Sequence, residues 1–269
     1  MKGLETRSIV SITDKTFVRK LDVVCVESPL SLILKFKGIE HSLGLLMRTP
    51  GDDHNLIRGL LYSEGIISVG ADINEILTEG DDYIVILSDH INFNPIEHAR
   101  KLTMTSSCGI CGKDSISNLI HMHGPTLSED MQIDMSIIGT SLTSLQNGQE
   151  LFTDTGGTHA CARLDSIGNL ISIGEDVGRH NAMDKLIGGA LKNNLVPIRE
   201  EILIVSGRAS FELVQKSLRA GFPIMIALGA PSTLAVDMAM EHGMTLIGFA
   251  KENKITVFAG SNRILGQER

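Results

Sequence analysis

Residues Glu201 to Gly229 read EILIVSGRASFELVQKSLRAGFPIMIALG. EILIVSG and FPIMIALG are unbroken apolar runs of strand length, and Ala209–Ala220 between them carries apolar residues at helical spacing. A strand that is apolar on both faces must be covered on both faces, and two such strands joined through one helix by short turns form a parallel unit. The pattern continues with a predicted helix over Ser232–His242 and a strand at MTLIGFA. Upstream, ACARLD and LISIGED flank a Ser-Ile-Gly-Asn turn as a hairpin, and a helix over His180–Lys192 buries Met183, Leu186, Ile187 and Ala190. From Leu151 onward strands alternate with helices, and the strand–helix–strand–helix–strand run that begins at EILIVSG reads as parallel strands covered by helices.

The N-terminal part has a different texture. LDVVCVE, LSLILKF, KGIE and HSLGLLM are short strand-like runs broken by turn residues, which predicts an antiparallel meander from about Arg19 to Met47. DDHNLIRGLLYSEG places Leu56, Ile57, Leu60 and Leu61 on one helical face, and INEILTEGDDYIVILSD reads as two strands around a Gly-Asp-Asp turn. A helix is expected over Ser136–Gln146, and a short one carrying Ile116, Leu119 and Ile120. The expected organisation is a β-rich part over residues 1–100, a cysteine-loop and helical connector over 101–150, and an α/β core over 151–269.

Composition removes several classes. The chain has 269 residues and a formal net charge of -8, which argues against a general nucleic-acid binder, since phosphate neutralisation needs a basic face. No apolar run reaches the 18 or so residues of a membrane span, and the first residues lack a signal peptide's apolar core. Four cysteines over this length do not form a secreted disulfide framework, so a reducing cytoplasm is the expected location.

Two of those cysteines, Cys108 and Cys111, stand in TMTSSCGICGKDS, each followed by glycine. A closed zinc site needs four ligands, but Cys25 and Cys161 are isolated and His121 and His123 fall on different sides of any helix. No resident metal is expected. Gly109 and Gly112 free the backbone around the thiols, and a helix N-terminus just beyond would favour thiolate. That combination suits exchange with another sulfur atom, although the spacing alone leaves a pair without chemistry equally open.

Glycine-rich joints mark the C-terminal half: FTDTGGTHA, GEDVGRHNAMDK and SGRASFE. Gly156 and Gly157 precede a strand together with Thr158 and His159, while Gly178-Arg179-His180 and Gly207-Arg208 are read as helix entrances. Backbone N–H groups at such entrances, with an arginine beside each, make an anion site for a phosphate-bearing ligand. Asp184, one turn on, is expected either to join Arg179, His180 and Asn181 in a polar cluster facing the same mouth or to pair with Lys185 or Arg179 on the surface.

SSCGICG, FTDTGGTHA, GEDVGRHNAMDKLIG, SGRASFELVQK, APSTLAV and GMTLIGFA occur in an order that resembles the FdhD family, the formate dehydrogenase accessory sulfurtransferases, from about residue 20 to 262. The resemblance implies a cytidine-deaminase-like C-terminal core and a dimer. It also implies transfer of persulfide sulfur from a cysteine desulfurase to a molybdenum bis-pterin guanine dinucleotide cofactor destined for formate dehydrogenase. On that likeness Cys108 is the persulfide position and Cys111 its partner, and Phe249, Ala250, Lys251, Glu252, Asn253 and Lys254 form a cofactor-binding segment. Cys161 departs from the pattern, and packing is its expected role.

Two other classes stay in view. A zinc-dependent nucleotide deaminase-like hydrolase would need H-x-E followed by P-C-x-x-C. Here His159-Ala160-Cys161 lacks the glutamate, and the dithiol precedes the histidine. A non-catalytic cofactor-binding chaperone would use the same glycine joints without any sulfur chemistry.

Overall fold

The computed structural model of the protein describes residues 3–94 and 124–266. Strands β1 (Leu4–Thr13) and β2 (Thr16–Cys25) form a ribbon of their own. Its two-residue turn, Asp14-Lys15, holds both residues at positive φ, the geometry that matches the twist of a tight hairpin. This corrects the expected meander: β2 pairs with β1, a strand the sequence pattern did not reveal, and not with the strand after it. Then β3 (Ser28–Phe36), β4 (Ile39–Arg48), helix α1 (Asp53–Ser63), β5 (Ile73–Glu79) and β6 (Asp82–Leu87) build a sheet of order β4-β3-β6-β5 with α1 against it.

Beyond residue 124 come β7 (Ile133–Asp134), α2 (Ile137–Gly148), the short α3 (Glu150–Thr155), β8 (His159–Leu164), β9 (Leu170–Asp176) and α4 (Arg179–Lys192). They are followed by β10 (Ile202–Val205), α5 (Phe211–Ala220), β11 (Ile224–Ala227), α6 (Thr233–Glu241), β12 (Thr245–Lys251), β13 (Lys254–Ala259) and β14 (Ile264–Leu265). The main sheet runs β13-β12-β11-β10-β8-β9. β10, β11 and β12 are parallel, as their alternation with helices predicts, and β8 and β9 form the expected hairpin; with β13 also joining antiparallel, the sheet as a whole is mixed.

Alternation along these strands feeds two cores. Ala160, Ala162, Ile202, Ile204, Ile224, Ile226 and Ile247 face Ile138 and Leu145 of α2. The opposite face, with Cys161, Leu203, Val205 and Met225, shares one continuous core with α4, α5, α1 and Leu30, Leu32, Leu34 and Val85 of the first sheet. Helices α1 and α4 cross almost backbone to backbone. A Cβ on Gly188 would lie 1.8 Å from the Asn55 carbonyl oxygen, and one on Gly59 would lie 1.9 Å from that of Asp184. Only glycine fits at that crossing.

Candidate functional site

The carboxyl ends of β10, β11 and β12 are stitched together by backbone hydrogen bonds. Gly229 N–H donates to the Gly207 carbonyl at 2.9 Å, and Phe249 N–H donates to that of Gly229 at 3.1 Å. Because β8 runs against β10, its first residue lies at the same edge, and Ser206 N–H donates to the Ala160 carbonyl at 2.9 Å. His159 pairs in register with Asp176, the last residue of β9, so the entrance of α4 also arrives there. Loops gathered at the carboxyl edge of an open α/β sheet are where its ligands sit. A cleft of about 360 Å³ opens at this edge, lined by Gln149, Phe152, Gly156, Gly157, Thr158, His159, Ser206 and Leu228.

Consecutive carboxylates hold the cleft in place. Glu175 accepts from the backbone N–H groups of Leu151 and Phe152, each at 2.9 Å, and from the Thr158 hydroxyl at 3.0 Å, tying α3 to the glycine loop. The buried Asp176 accepts from Gly178 N–H and from the Asn181 amide through one oxygen, and from Thr49 N–H through the other. Lys185 Nζ lies 2.8 Å from the same Asp176 Oδ2 and also donates to the carbonyls of Thr49 and Glu175. Gly156 has φ +64, a left-handed conformation that favours glycine and turns the chain out of α3 into the cleft wall. Cys25 approaches the same loop: a Cβ on Gly157 would be 3.4 Å from its Cβ.

Burial first, and then the Arg179 charge, hold the His159 imidazole below its ordinary range. A Cβ on Gly207 would be 3.5 Å from His159 Nδ1, which places that joint beside the ring. His180 lies 3.2 Å from a Glu212 carboxylate oxygen and 3.4 Å from the Ser210 hydroxyl. Burial nevertheless lowers it to about 4, with Glu212 opposing and Lys216, Arg179 and His159 reinforcing. Both rings are thus kept neutral and available to accept a hydrogen bond near pH 7.

Most of the expected glycine joints do meet here, with two corrections. Gly207 does not open a helix directly; Ser210 is the residue whose hydroxyl caps α5, so Arg208 stands on the preceding loop. A Cβ on Gly229 would be 3.0 Å from Arg208 N and Cα, so the Arg208 loop and the Phe249 turn share one neighbour. Asp184 is not a surface residue either. It is buried, accepts from Ser63 at 2.8 Å and pairs with Lys216, because α4 faces α1 and α5 rather than solvent.

Within the Phe249–Lys254 segment, Phe249 and Ala250 belong to β12 beside the Arg208 loop, while Glu252 lies against Gly139 of α2 and does not line the cleft. Cys161 lies inside the core, not at the mouth. Cys108 and Cys111, and the short helix expected after them, fall outside the described residues. Thr49, Glu175, Gln149 and Phe152 were not singled out from the sequence. Their roles depend on a strand end and a short helix meeting across the chain, which no local spacing announces.

A family model for the FdhD/NarQ family matches residues 25–265. A protein named sulfur carrier protein FdhD from Nocardia farcinica is 38% identical over 271 residues, covering 96% of this chain and 94% of that one. Its namesake from Thermoplasma acidophilum is also 38% identical, over 97% of this chain and 93% of its own. The fold is similar to the crystal structure of a candidate formate dehydrogenase accessory protein from Desulfotalea psychrophila, with a TM-score of 0.78, 24% identity and coverage of 97% and 99%.

Proposed function

The chain belongs to the FdhD/NarQ family, and on that premise we propose that it is a sulfur carrier serving formate dehydrogenase. The observation that carries this reading is the near-full-length similarity to proteins named as sulfur carriers. In the proposed chemistry, the Cys108 thiolate attacks the outer sulfur of a cysteine desulfurase persulfide. The donor's S–S bond breaks, its cysteine leaves as thiolate, and Cys108 holds the S–SH group. Attack by Cys111 on the inner sulfur then releases the outer one as sulfide to the metal of the bound pterin guanine dinucleotide. A Cys108–Cys111 disulfide remains for a cellular dithiol to reduce.

The metal-bearing dinucleotide is cargo in this scheme. Its phosphates are assigned to the backbone at the α4 entrance, with Arg179 of that helix and Arg208 of the loop before α5 supplying positive charge. The cleft beside His159 supports this reading because it gathers neutral donors and acceptors at the same edge. The protein acts in the cytoplasm, where thiols stay reduced.

Incubating the protein with a cysteine desulfurase and cysteine, followed by mass spectrometry, tests the proposal. One extra sulfur on the Cys108 peptide, removable by reductant and absent in Cys108→Ala, is the expected result. Absence of that mass would leave a chaperone that binds cofactor without carrying sulfur, and stoichiometric zinc in the purified protein would point to a hydrolase.

A further inference from the structure

Gln149 stands where α2 ends and α3 begins, with φ -82 and ψ 73, close to the inverse γ conformation and held by a helix on either side. Its backbone groups are both used. The N–H donates to the Gln146 carbonyl, and the carbonyl accepts from the Thr153 N–H and hydroxyl. The residue is only 7% exposed, yet its side-chain amide makes no hydrogen bond among the described residues. Buried amides are nearly always paired, because leaving their donors and acceptor without water or a partner is costly. Gln149 is part of the cleft wall at the carboxyl edge of the main sheet, so a molecule in that cleft is within its reach.

The rest of the wall defines what such a molecule is. With His159 held neutral, no residue lining the cleft carries a formal charge, so it does not suit the phosphate end of a nucleotide. Phe152 and Leu228 are 44% and 36% exposed and give the wall apolar surface, part of it aromatic. Ser206 Oγ accepts from Ala160 N–H, which leaves its hydroxyl proton for an acceptor in the cleft. The volume of about 360 Å³ falls at the lower end of small-molecule sites, roughly 300–1,000 Å³. An aromatic flank, a stranded amide and a few neutral polar atoms fit a flat, uncharged heterocycle.

We propose that Gln149 is the specificity-determining residue of this cleft, its amide pairing with the cyclic-amide edge of a planar heterocycle. The side-chain carbonyl accepts from a ring N–H, and the side-chain N–H donates to the neighbouring ring carbonyl. It is a two-point contact of the kind by which glutamine reads a base edge. The inference rests on the cargo proposed above, whose guanine and pterin rings share that edge, an aminopyrimidinone. The charged part of the cargo then lies at the α4 entrance, which adjoins the cleft because His159 and Asp176 pair in register.

Calorimetry with guanosine diphosphate, adenosine diphosphate and neopterin, on the full-length wild type, Gln149→Leu and Gln149→Glu, tests the assignment. Gln149→Leu is expected to weaken the ligand whose ring enters the cleft roughly tenfold to a hundredfold. Without ligand it is expected to melt no lower than wild type, because an apolar group of similar size replaces an unpaired buried amide. Gln149→Glu is expected to keep the guanine or pterin binding that Gln149→Leu loses, since a carboxylate accepts from the ring N–H and the adjacent amino group together. Adenine lacks that pair of donors, so any binding of adenosine diphosphate is expected to fall in both variants. Loss confined to guanosine diphosphate assigns the base to the cleft, and loss confined to neopterin assigns the pterin; either supports the proposal. Equal affinities in wild type and both variants overturn it and leave the cargo reading standing. A lower melting point for unliganded Gln149→Leu with unchanged binding also overturns it, showing that the amide serves the fold. Failure of the wild type to bind either guanosine diphosphate or neopterin overturns both the inference and the cargo reading.

Discussion

Lys185 Nζ and Asp176 Oδ2 stand 2.8 Å apart in the interior, in the second turn of α4 and at the last position of β9. The pair joins a helix to a strand end, and through Thr49 it also joins the first sheet to the second. Removing one partner strands a buried charge, which costs about 3–5 kcal/mol. Asp176→Ala is therefore expected to lower unfolding free energy by that amount in urea titration. Lys185→Met is expected to do the same, and the double variant to lose less than the two singles combined, which a double-mutant cycle reads directly.

The α1–α4 crossing makes a second demand on the sequence. Alanine favours a helix interior over glycine by about 1 kcal/mol, yet a Cβ on Gly188 would stand 1.8 Å from a backbone oxygen that cannot turn aside. Overpacking of this kind costs on the order of 1–3 kcal/mol or more. Gly188→Ala is expected to be destabilising, whereas Gly189→Ala, whose nearest neighbour is an Asn55 side-chain nitrogen at 3.6 Å, is expected to be tolerated. Paired thermal melts separate the two.

These contacts also show why some of the molecule was readable beforehand. Strands β10 and β11 and helix α5 follow from apolar period and length, which are local properties, and α4 follows from the helical spacing of Met183, Leu186, Ile187 and Ala190. Strand β1 and its pairing with β2 escaped because the ribbon is solvated along most of its length and none of its side chains enters either core. The burial of Asp184 was not legible because α4 alone does not reveal that α1 and α5 enclose it. Phe152 is fixed in the cleft through Glu175, and Thr49 reaches Asp176 across 127 positions of the chain, so no local spacing announces either contact.

Arg208 lies exposed on the loop beside His159 and Gly229. A charge-assisted hydrogen bond to phosphate contributes about 1.5–3 kcal/mol. Arg208→Ala is expected to weaken binding of a guanine nucleotide roughly tenfold or more at low salt, with persulfide loading unchanged. Calorimetry showing equal affinity in the two proteins would remove Arg208 from the anion site.

His180 gives the fold an acid sensitivity. Unfolded, the imidazole titrates near 6.5; folded, burial lowers it to about 4 despite Glu212. Between those values the unfolded chain binds a proton that the native protein excludes, so stability falls as pH drops from 6.5 toward 4 and is unaffected by this group above 6.5. The loss is on the order of 2 kcal/mol by pH 4.5. His180→Gln, which cannot titrate, is expected to flatten the stability profile in that window while leaving stability near pH 7.5 close to wild type. Because His159 is shifted in the same direction, part of the slope is expected to remain. Chemical denaturation at stepped pH values reads the difference, and parallel profiles would contradict the assignment.

Cys161 is the thiol most easily mistaken for a second sulfur acceptor, because it lies two residues from His159. It is 1% exposed, and burial first, with the Asp184 charge adding to it, pushes the thiol well above its ordinary value. A thiol so held is neither nucleophilic nor reachable by a donor persulfide. Short exposure of the native protein to iodoacetamide is expected to leave the Cys161 peptide unmodified, and unfolding in urea to expose it. Cys161→Ala is expected to load as much sulfur as wild type while losing about 1–2 kcal/mol of stability to the small cavity created. Finding the extra sulfur on the Cys161 peptide of the native protein would reverse this conclusion and make the interior face of β8 part of the sulfur path.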